Sequence, residues 1–167
     1  MAIVDALLPE FDHEFATTRR LLDRVPPAQF SWKPHDKSMS LGQLAAHLAN
    51  IPFWCTATLE ADSLDLEAMG DEARPKEPES RDSLLRDFDT RLSTARQRLV
   101  ATTDPEFLLP WTLKSGGQEF FTMPKITVLR TFVMNHQIHH RGQLSVYLRL
   151  NNVPVPPIYG PTADEPA

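Results

Sequence analysis

Apolar residues recur three and four positions apart in four long segments of this chain, and this spacing restricts the fold more than any other feature. The segments run from about 3 to 24, 41 to 61, 81 to 101 and 124 to 150. The 15 prolines of the chain fall mostly between them, where they end helices. The pattern predicts an all-α fold, a four-helix bundle with a long crossover connection.

The connections between the segments contain signals of their own. Ser40 followed by Gln43 predicts a helix N-cap with a capping box at the start of the second segment. Residues 62–79 are acidic and contain prolines, which favours a surface loop. At about 108–122, two runs of β-forming residues flank Ser115-Gly116-Gly117, and this turn signal predicts a small hairpin.

Length and composition indicate one domain over residues 1–167, and the charge balance is compatible with a protein that binds small molecules. The net charge is −5 and no basic cluster occurs, which argues against nucleic acid as a partner. Cys55 is the only cysteine, so no internal disulfide can form. No stretch reaches the roughly 18 apolar residues of a membrane span. We therefore expect a cytoplasmic protein without a membrane anchor.

Three of the six histidines fall within five residues of the fourth segment, and two of them are spaced to share one metal ion. Residues four positions apart lie about 40° from each other around a helix, so His136 and His140 project side by side. Written as heptads, the segment places both histidines in core columns that are otherwise mainly apolar. The columns are Ile126, Val133, His140 and Tyr147, and Leu129, His136, Gln143 and Leu150.

His47 is the best candidate for a third ligand, because it lies on the flank of the apolar stripe of the second segment. His13 falls on an outer helix face and His35 falls in a loop. His139 points away from the histidine pair, although it replaces His140 as the candidate if the helix is wound differently.

Three histidines without a fourth protein ligand indicate an open metal site. Structural zinc sites have four protein ligands, whereas catalytic sites keep one position for water or substrate. Imidazoles suit zinc, nickel, copper and iron, so the ligand type does not select the metal. A divalent ion could acidify a water to a pKa of about 7, or polarise a thiol or a carbonyl. The alternative is a structural role, with the rings packed in the core and bonded to backbone groups.

Several polar residues lie near the candidate ligands in the sequence. Gln43, Asn50 and Gln143 could hydrogen-bond the histidines, and capping or helix-surface polarity explains them equally well. Arg141, directly after His140, is interpreted as a surface residue.

Two stretches of the chain closely resemble the motifs of one protein family. The first is similar to the C-terminal signature of the DinB family, the damage-inducible, YfiT-like proteins of bacteria. It runs from Asn135 through Leu144 to Tyr147-Leu148-Arg149, and then through Val153-Pro154 to Ile158-Tyr159-Gly160-Pro161. The second is similar to the second-helix motif of this family and consists of Trp32-Lys33-Pro34 and the residues from Ser40 to His47. The likeness extends over nearly the whole chain.

The resemblance implies a four-helix bundle, often a homodimer, that holds nickel or zinc through three histidines. Residue by residue, the implied ligands fall on His47, His136 and His140. The implied activities depend on low-molecular-weight thiols, either S-transfer from the thiol or isomerisation with its help. The first hypothesis is therefore a metal-dependent enzyme, a thiol S-transferase or a related hydrolase or isomerase. The alternatives are a non-catalytic small-molecule-binding or stress-response module with the same groove, and a metal-free protein with a histidine-filled core.

Overall fold

The computed structural model describes residues 2–69 and 76–166, and it is mostly helical. In chain order the helices are α1 (Ile3–Leu22), α2 (Leu41–Glu60), α3 (Leu66–Met69), α4 (Arg81–Ala101), α5 (Asp104–Leu108), α6 (Lys125–Val128), a π-helical segment (Leu129–Asn135) and α7 (His136–Leu150), with one 3-10 turn at Pro27–Gln29. The last three helical elements follow one another without a break and form one long helix. None of the described helices is long and apolar enough to cross a bilayer.

The long helices form a closed bundle. α1 packs against α4 and α7, and α2 packs against the same two helices. The order around the bundle is therefore α1, α4, α2 and α7, so α1 and α2 lie across the core from each other although they are consecutive in the chain. This arrangement confirms the prediction of a four-helix bundle with a crossover. The core includes Phe11, Phe15, Leu44, Leu48, Phe88, Leu99, Val133 and Leu144.

A small three-stranded sheet accompanies the bundle, in the order β1 (Ser63–Asp65), β2 (Pro110–Ser115) and β3 (Gln118–Pro124). β2 and β3 are antiparallel and form the predicted hairpin. Gly116 and Gly117 connect them with φ values of +54° and +84°. Two-residue hairpin loops of this kind need positive φ at both positions, which glycine adopts without strain.

The predicted surface loop at 62–79 is wrong in its first part. Ser63–Asp65 forms β1 and Leu66–Met69 forms α3, whereas residues 76–79 have no regular structure. Residues 70–75 of this prediction lie outside the described residues. A three-residue strand is too short to show a period of its own. It forms here because β2, far along the chain, pairs with it in parallel.

α2 begins at the predicted cap. The Ser40 Oγ atom accepts a hydrogen bond from the Gln43 N–H at 3.1 Å, and the Gln43 Oε1 atom accepts one from the Ser40 N–H at 2.9 Å. This reciprocal pair satisfies two backbone donors at the helix start. Because His47 follows Ser40 by about two helical turns, the cap determines where the histidine lies along the bundle.

The π-helical segment shifts the buried face of the last long helix by one residue. The heptad pattern predicts the inward positions His136, His140, Gln143 and Tyr147. The most deeply buried residues of α7 are each one position later, at most 1% exposed, namely Gln137, Arg141, Leu144 and Leu148. A π-helical turn accommodates about one extra residue, and one residue corresponds to about 100° of rotation.

This rotation makes three sequence predictions wrong. Gln143 and Leu150 are exposed rather than in a core column, and Arg141 is buried rather than on the surface. The two histidines consequently lie at the edge of the core face. His136 is half-buried and His140 is 9% exposed.

The tail after α7 is not helical, as predicted, and it returns to the bundle. The Arg20 Nη2 atom donates a hydrogen bond to the Pro157 carbonyl at 3.2 Å. The Tyr159 hydroxyl donates to the Glu14 carboxylate at 3.0 Å. These contacts attach the tail to α1.

Candidate metal centre

Three histidines from two packed helices meet at one point. His47 lies on α2, and His136 and His140 lie on the first turns of α7. One ring nitrogen of each histidine lies within 4.8 Å of those of the other two. The structure thus brings together the three residues that the spacing singles out. The remaining histidines, His13, His35 and His139, are exposed and lie outside the cluster.

The closest ring nitrogens in the cluster belong to His47 and His136. Their Nε2 atoms are 2.7 Å apart, a hydrogen-bond distance that requires one ring to carry a proton on Nε2. Two imidazole nitrogens bound to a tetrahedral zinc at about 2.0–2.1 Å are separated by about 3.3 Å. An ion would therefore replace that proton and move the two rings apart by about 0.6 Å. The donor set fits a divalent metal with this small adjustment.

Gln143 holds the third ring in one tautomer. The His140 Nδ1 atom lies 2.7 Å from the Gln143 Oε1 atom. An amide oxygen only accepts hydrogen bonds, so His140 carries its proton on Nδ1 and keeps the lone pair of Nε2 for a ligand. Of the other polar neighbours, Gln43 serves the cap of α2. Asn50 is buried and has no hydrogen bond to the histidines within the described residues.

The environment keeps all three imidazoles neutral. Burial is the larger cause, and repulsion from a positive charge on His140 the next, of a pKa lowered to about 4 for both His47 and His136. Burial also lowers the pKa of His140, against the opposing effect of its hydrogen bond to Gln143. Neutral imidazole is the form that binds a metal, and these rings are in that form at pH 7.

A small apolar cavity adjoins the cluster. Its volume is about 100 Å³, and His47 and His136 form part of its wall. The other lining residues come from α2, the hairpin and the last long helix: Ile51, Trp54, Trp111, Leu113, Phe121, Val128 and Phe132. Sequence spacing alone does not assign these residues to a site. The only local signal is the two-residue alternation of Trp111 and Leu113 in β2.

A second polar cluster is buried one residue beyond His140. Arg141 is 1% exposed, and its Nη2 atom lies 2.5 Å from the carboxylate of Glu14, which is 5% exposed. The Arg141 Nη1 atom donates to the Glu14 carbonyl at 2.9 Å. The Tyr159 hydroxyl accepts from Arg141 Nη2 at 2.6 Å and donates to the Glu14 carboxylate. This cluster is complete within the chain and joins α1, α7 and the tail.

Comparison with known proteins agrees with the fold. The DinB family model matches residues 3–167. The uncharacterized protein YrdA of Bacillus subtilis (strain 168) is 25% identical over 162 residues, which cover 97% of this chain and 91% of that protein. A crystal structure of a DinB-like protein from Bacillus cereus ATCC 10987 has a TM-score of 0.75 at 21% identity, covering 95% of this chain and 98% of that one. A DinB-like protein from Bacillus subtilis has a TM-score of 0.67 at 20% identity, covering 89% and 96%. At these identities the structural likeness shows the fold alone.

Proposed function

The chain belongs to the DinB family, and from this premise we propose that it is a divalent-metal-binding protein that acts as a metal-dependent enzyme. The proposed ligands are His47, His136 and His140, and the proposed ion is zinc or nickel. One observation carries the proposal: three neutral imidazoles from two helices place their nitrogens within 4.8 Å of one another. Neutral imidazole nitrogens that converge in this way are the donor set that a divalent ion uses.

The proposed reaction class is transfer of a low-molecular-weight thiol, or a related hydrolysis or isomerisation. A divalent ion at this site supplies positive charge that favours the ionised form of a thiol or water. Because all three ligands are neutral, they leave the full charge of the ion to act on an anionic substrate group. Gln143 keeps His140 Nε2 available, and the cavity beside His47 and His136 is lined mainly by apolar side chains.

Three further properties belong to the proposal and come from the sequence and its family resemblance. They are a single domain over residues 1–167, a homodimeric state and a cytoplasmic location.

The metal content of untagged protein tests the ligand set. After dialysis against zinc or nickel, we expect about one ion per chain in the wild type by elemental analysis. His47→Ala and His140→Ala should each lose most of this metal. His139→Ala is the matched control, because it removes an exposed histidine next to His140 and should keep the metal. Full metal content in His140→Ala would contradict the assignment.

The enzyme hypothesis needs a separate test. The metal-loaded protein is incubated with a panel of low-molecular-weight thiols and electrophilic acceptors. Turnover that disappears in His136→Ala supports the enzyme. Tight, saturable thiol binding without turnover instead favours a non-catalytic small-molecule-binding or stress-response module.

A further inference from the structure

We infer that the cavity beside His47 and His136 receives a compact apolar group of the electrophilic reactant, and that Leu113 and Val128 set the size of this group. This inference rests on the proposed function, because it names the substrate class of the same site. That class is an electrophile with an uncharged apolar group of about four carbon atoms next to its reacting atom. The residues concerned belong to the hairpin and to α6, which the metal proposal does not use.

The residues that line the cavity differ in exposure. Ile51, Trp111 and Val128 are at most 1% exposed, so they form its closed end. Phe132 is 40% exposed, and His47 and His136 are half-buried. The cavity therefore opens on the side of the histidines and Phe132. A group that enters from this side leaves the rest of its molecule next to the proposed metal.

The walls of the cavity favour an uncharged group. Among the described residues, no Lys, Arg, Asp or Glu lines it, and its only titratable groups are the two neutral histidines. A charged group that entered would lose its hydration without gaining a counterion. An apolar group instead gains free energy from each carbon atom that it removes from water.

Leu113 borders the cavity from the hairpin, beside a pair of aromatic rings. The rings of Phe121 and Phe132 are stacked, with centroids 4.6 Å apart and an interplanar angle of 12°. Leu113 is the direct cross-strand partner of Phe121, so both side chains lie on one face of the hairpin. A larger side chain at position 113 would therefore occupy space that the ligand needs.

The chemistry of the proposed thiol assigns the cavity to the other reactant. A low-molecular-weight thiol built on cysteine carries a nitrogen and a carbonyl carbon next to its CH₂–S group. These polar groups would lose hydration in a cavity whose walls are mainly apolar. The thiol is therefore better placed outside the cavity, with only its sulfur directed to the metal. The apolar group then belongs to the electrophile that the sulfur attacks.

The volume limits the size of the group. The cavity measures about 100 Å³. An apolar protein cavity of about 150 Å³ binds benzene, which has six carbon atoms, so this one suits about four. Val128 lies at the closed end, where a smaller side chain would lengthen the cavity. A change at this position should therefore alter the preferred size of the ligand and leave the histidines in place.

Methyl NMR signals of the metal-free protein test the inference directly. The probes are isobutene and acetate, which have the same planar shape and four non-hydrogen atoms, but only acetate is charged. We expect isobutene to shift the methyl signals of Ile51, Leu113 and Val128 in a saturable way, and acetate to leave them unchanged. In Val128→Ala, the larger probe toluene should bind about threefold to tenfold more tightly than in the wild type. Val146→Ala is the matched control, because Val146 is 56% exposed on α7.

Three results would overturn the inference. They are methyl signals that do not respond to isobutene, an equal response to acetate, and unchanged isobutene binding in Leu113→Phe. This last variant fills the cavity from a half-buried strand position and should weaken binding by about tenfold or more. Zinc titration of the same samples reports on the proposed function separately. His140→Ala should lose zinc and keep the isobutene response, because His140 does not line the cavity.

Discussion

Two polar clusters are centred on adjacent residues of α7, His140 and Arg141. They differ in whether the polar groups find partners of opposite charge within the chain. Around Arg141, a cation, a carboxylate and a hydroxyl complement one another at 2.5–3.0 Å. Around His140, three groups of the same kind face one point, and a positive charge on any of them would disfavour charge on the others. The ion-pair cluster therefore stabilises the fold by itself. The histidine cluster presents lone pairs that a cation from outside the chain can use.

The π-helical segment makes this division possible. Its extra residue turns position 141 towards the centre of the bundle and leaves 136 and 140 at the edge. At that edge His136 contacts a cavity whose other walls include the hairpin. In an unbroken α-helix the histidines would occupy the central core positions instead. The segment thus separates the buried face that contains Arg141 from the edge that contains the histidine cluster.

The largest effect on stability is expected when a substitution breaks the ion-pair cluster. Arg141→Met should lower the free energy of unfolding by about 3–5 kcal/mol, because Glu14 is left buried without a counterion. Urea denaturation measures this change. The double variant Arg141→Met with Glu14→Leu should recover most of the loss, since an apolar pair can replace a buried ion pair at little cost. A single-variant loss below about 1 kcal/mol would contradict a structural role for the pair.

The next effect concerns the histidine cluster. Zinc at about 100 times its dissociation constant should raise the unfolding free energy of the wild type by about 2.7 kcal/mol, because only the folded chain assembles the site. His136→Ala should show no such increase, whereas Arg141→Met should keep it. Urea denaturation with and without zinc measures both, with His139→Ala as the control. Equal zinc stabilisation in His136→Ala would show that the ion binds elsewhere.

A smaller effect is expected for Gln143, an exposed residue that hydrogen-bonds His140 in the histidine cluster. Gln143→Leu should weaken zinc binding by about tenfold to a hundredfold, because His140 loses the acceptor that fixes its tautomer. Without metal, its unfolding free energy should stay within about 0.5 kcal/mol of the wild type, since Gln143 is exposed. Calorimetric titration measures the affinity. Gln143→Glu, which keeps an acceptor oxygen, should retain most of it, and a similar loss in both variants would argue against this role.

The smallest effect on stability is expected when a substitution removes one hydroxyl from the ion-pair cluster. Tyr159→Phe should lower the unfolding free energy by about 1 kcal/mol, because the hydrogen bonds to Arg141 and Glu14 disappear while the ion pair stays. Zinc affinity should not change. Urea denaturation and the same calorimetric titration measure the two quantities. A change in zinc affinity would show that the clusters are coupled through α7.

Much of the fold and the membership of the histidine cluster could be predicted because they depend on local geometry. The cap at Ser40 and the start of α2 follow from residues three positions apart. The side-by-side placement of His136 and His140 follows from helical periodicity, which holds wherever the helix lies. Their role as metal ligands stays a prediction. Local geometry could not predict three features that depend on distant residues: the burial of Arg141, the aromatic cavity and the pairing of β1.

The sequence by itself determined the four amphipathic helices, the hairpin turn and a pair of histidines one helical turn apart. Each of these depends on residues within a few positions of one another. The tertiary structure decided the rotation of α7, the partners of Arg141 and the wall of aromatic residues beside His136. A π-helical turn adds about one residue without a clear local signal, so contacts made by distant parts of the chain select it. For that reason the periodicity identified the histidines, and only the packed bundle showed what lies next to them.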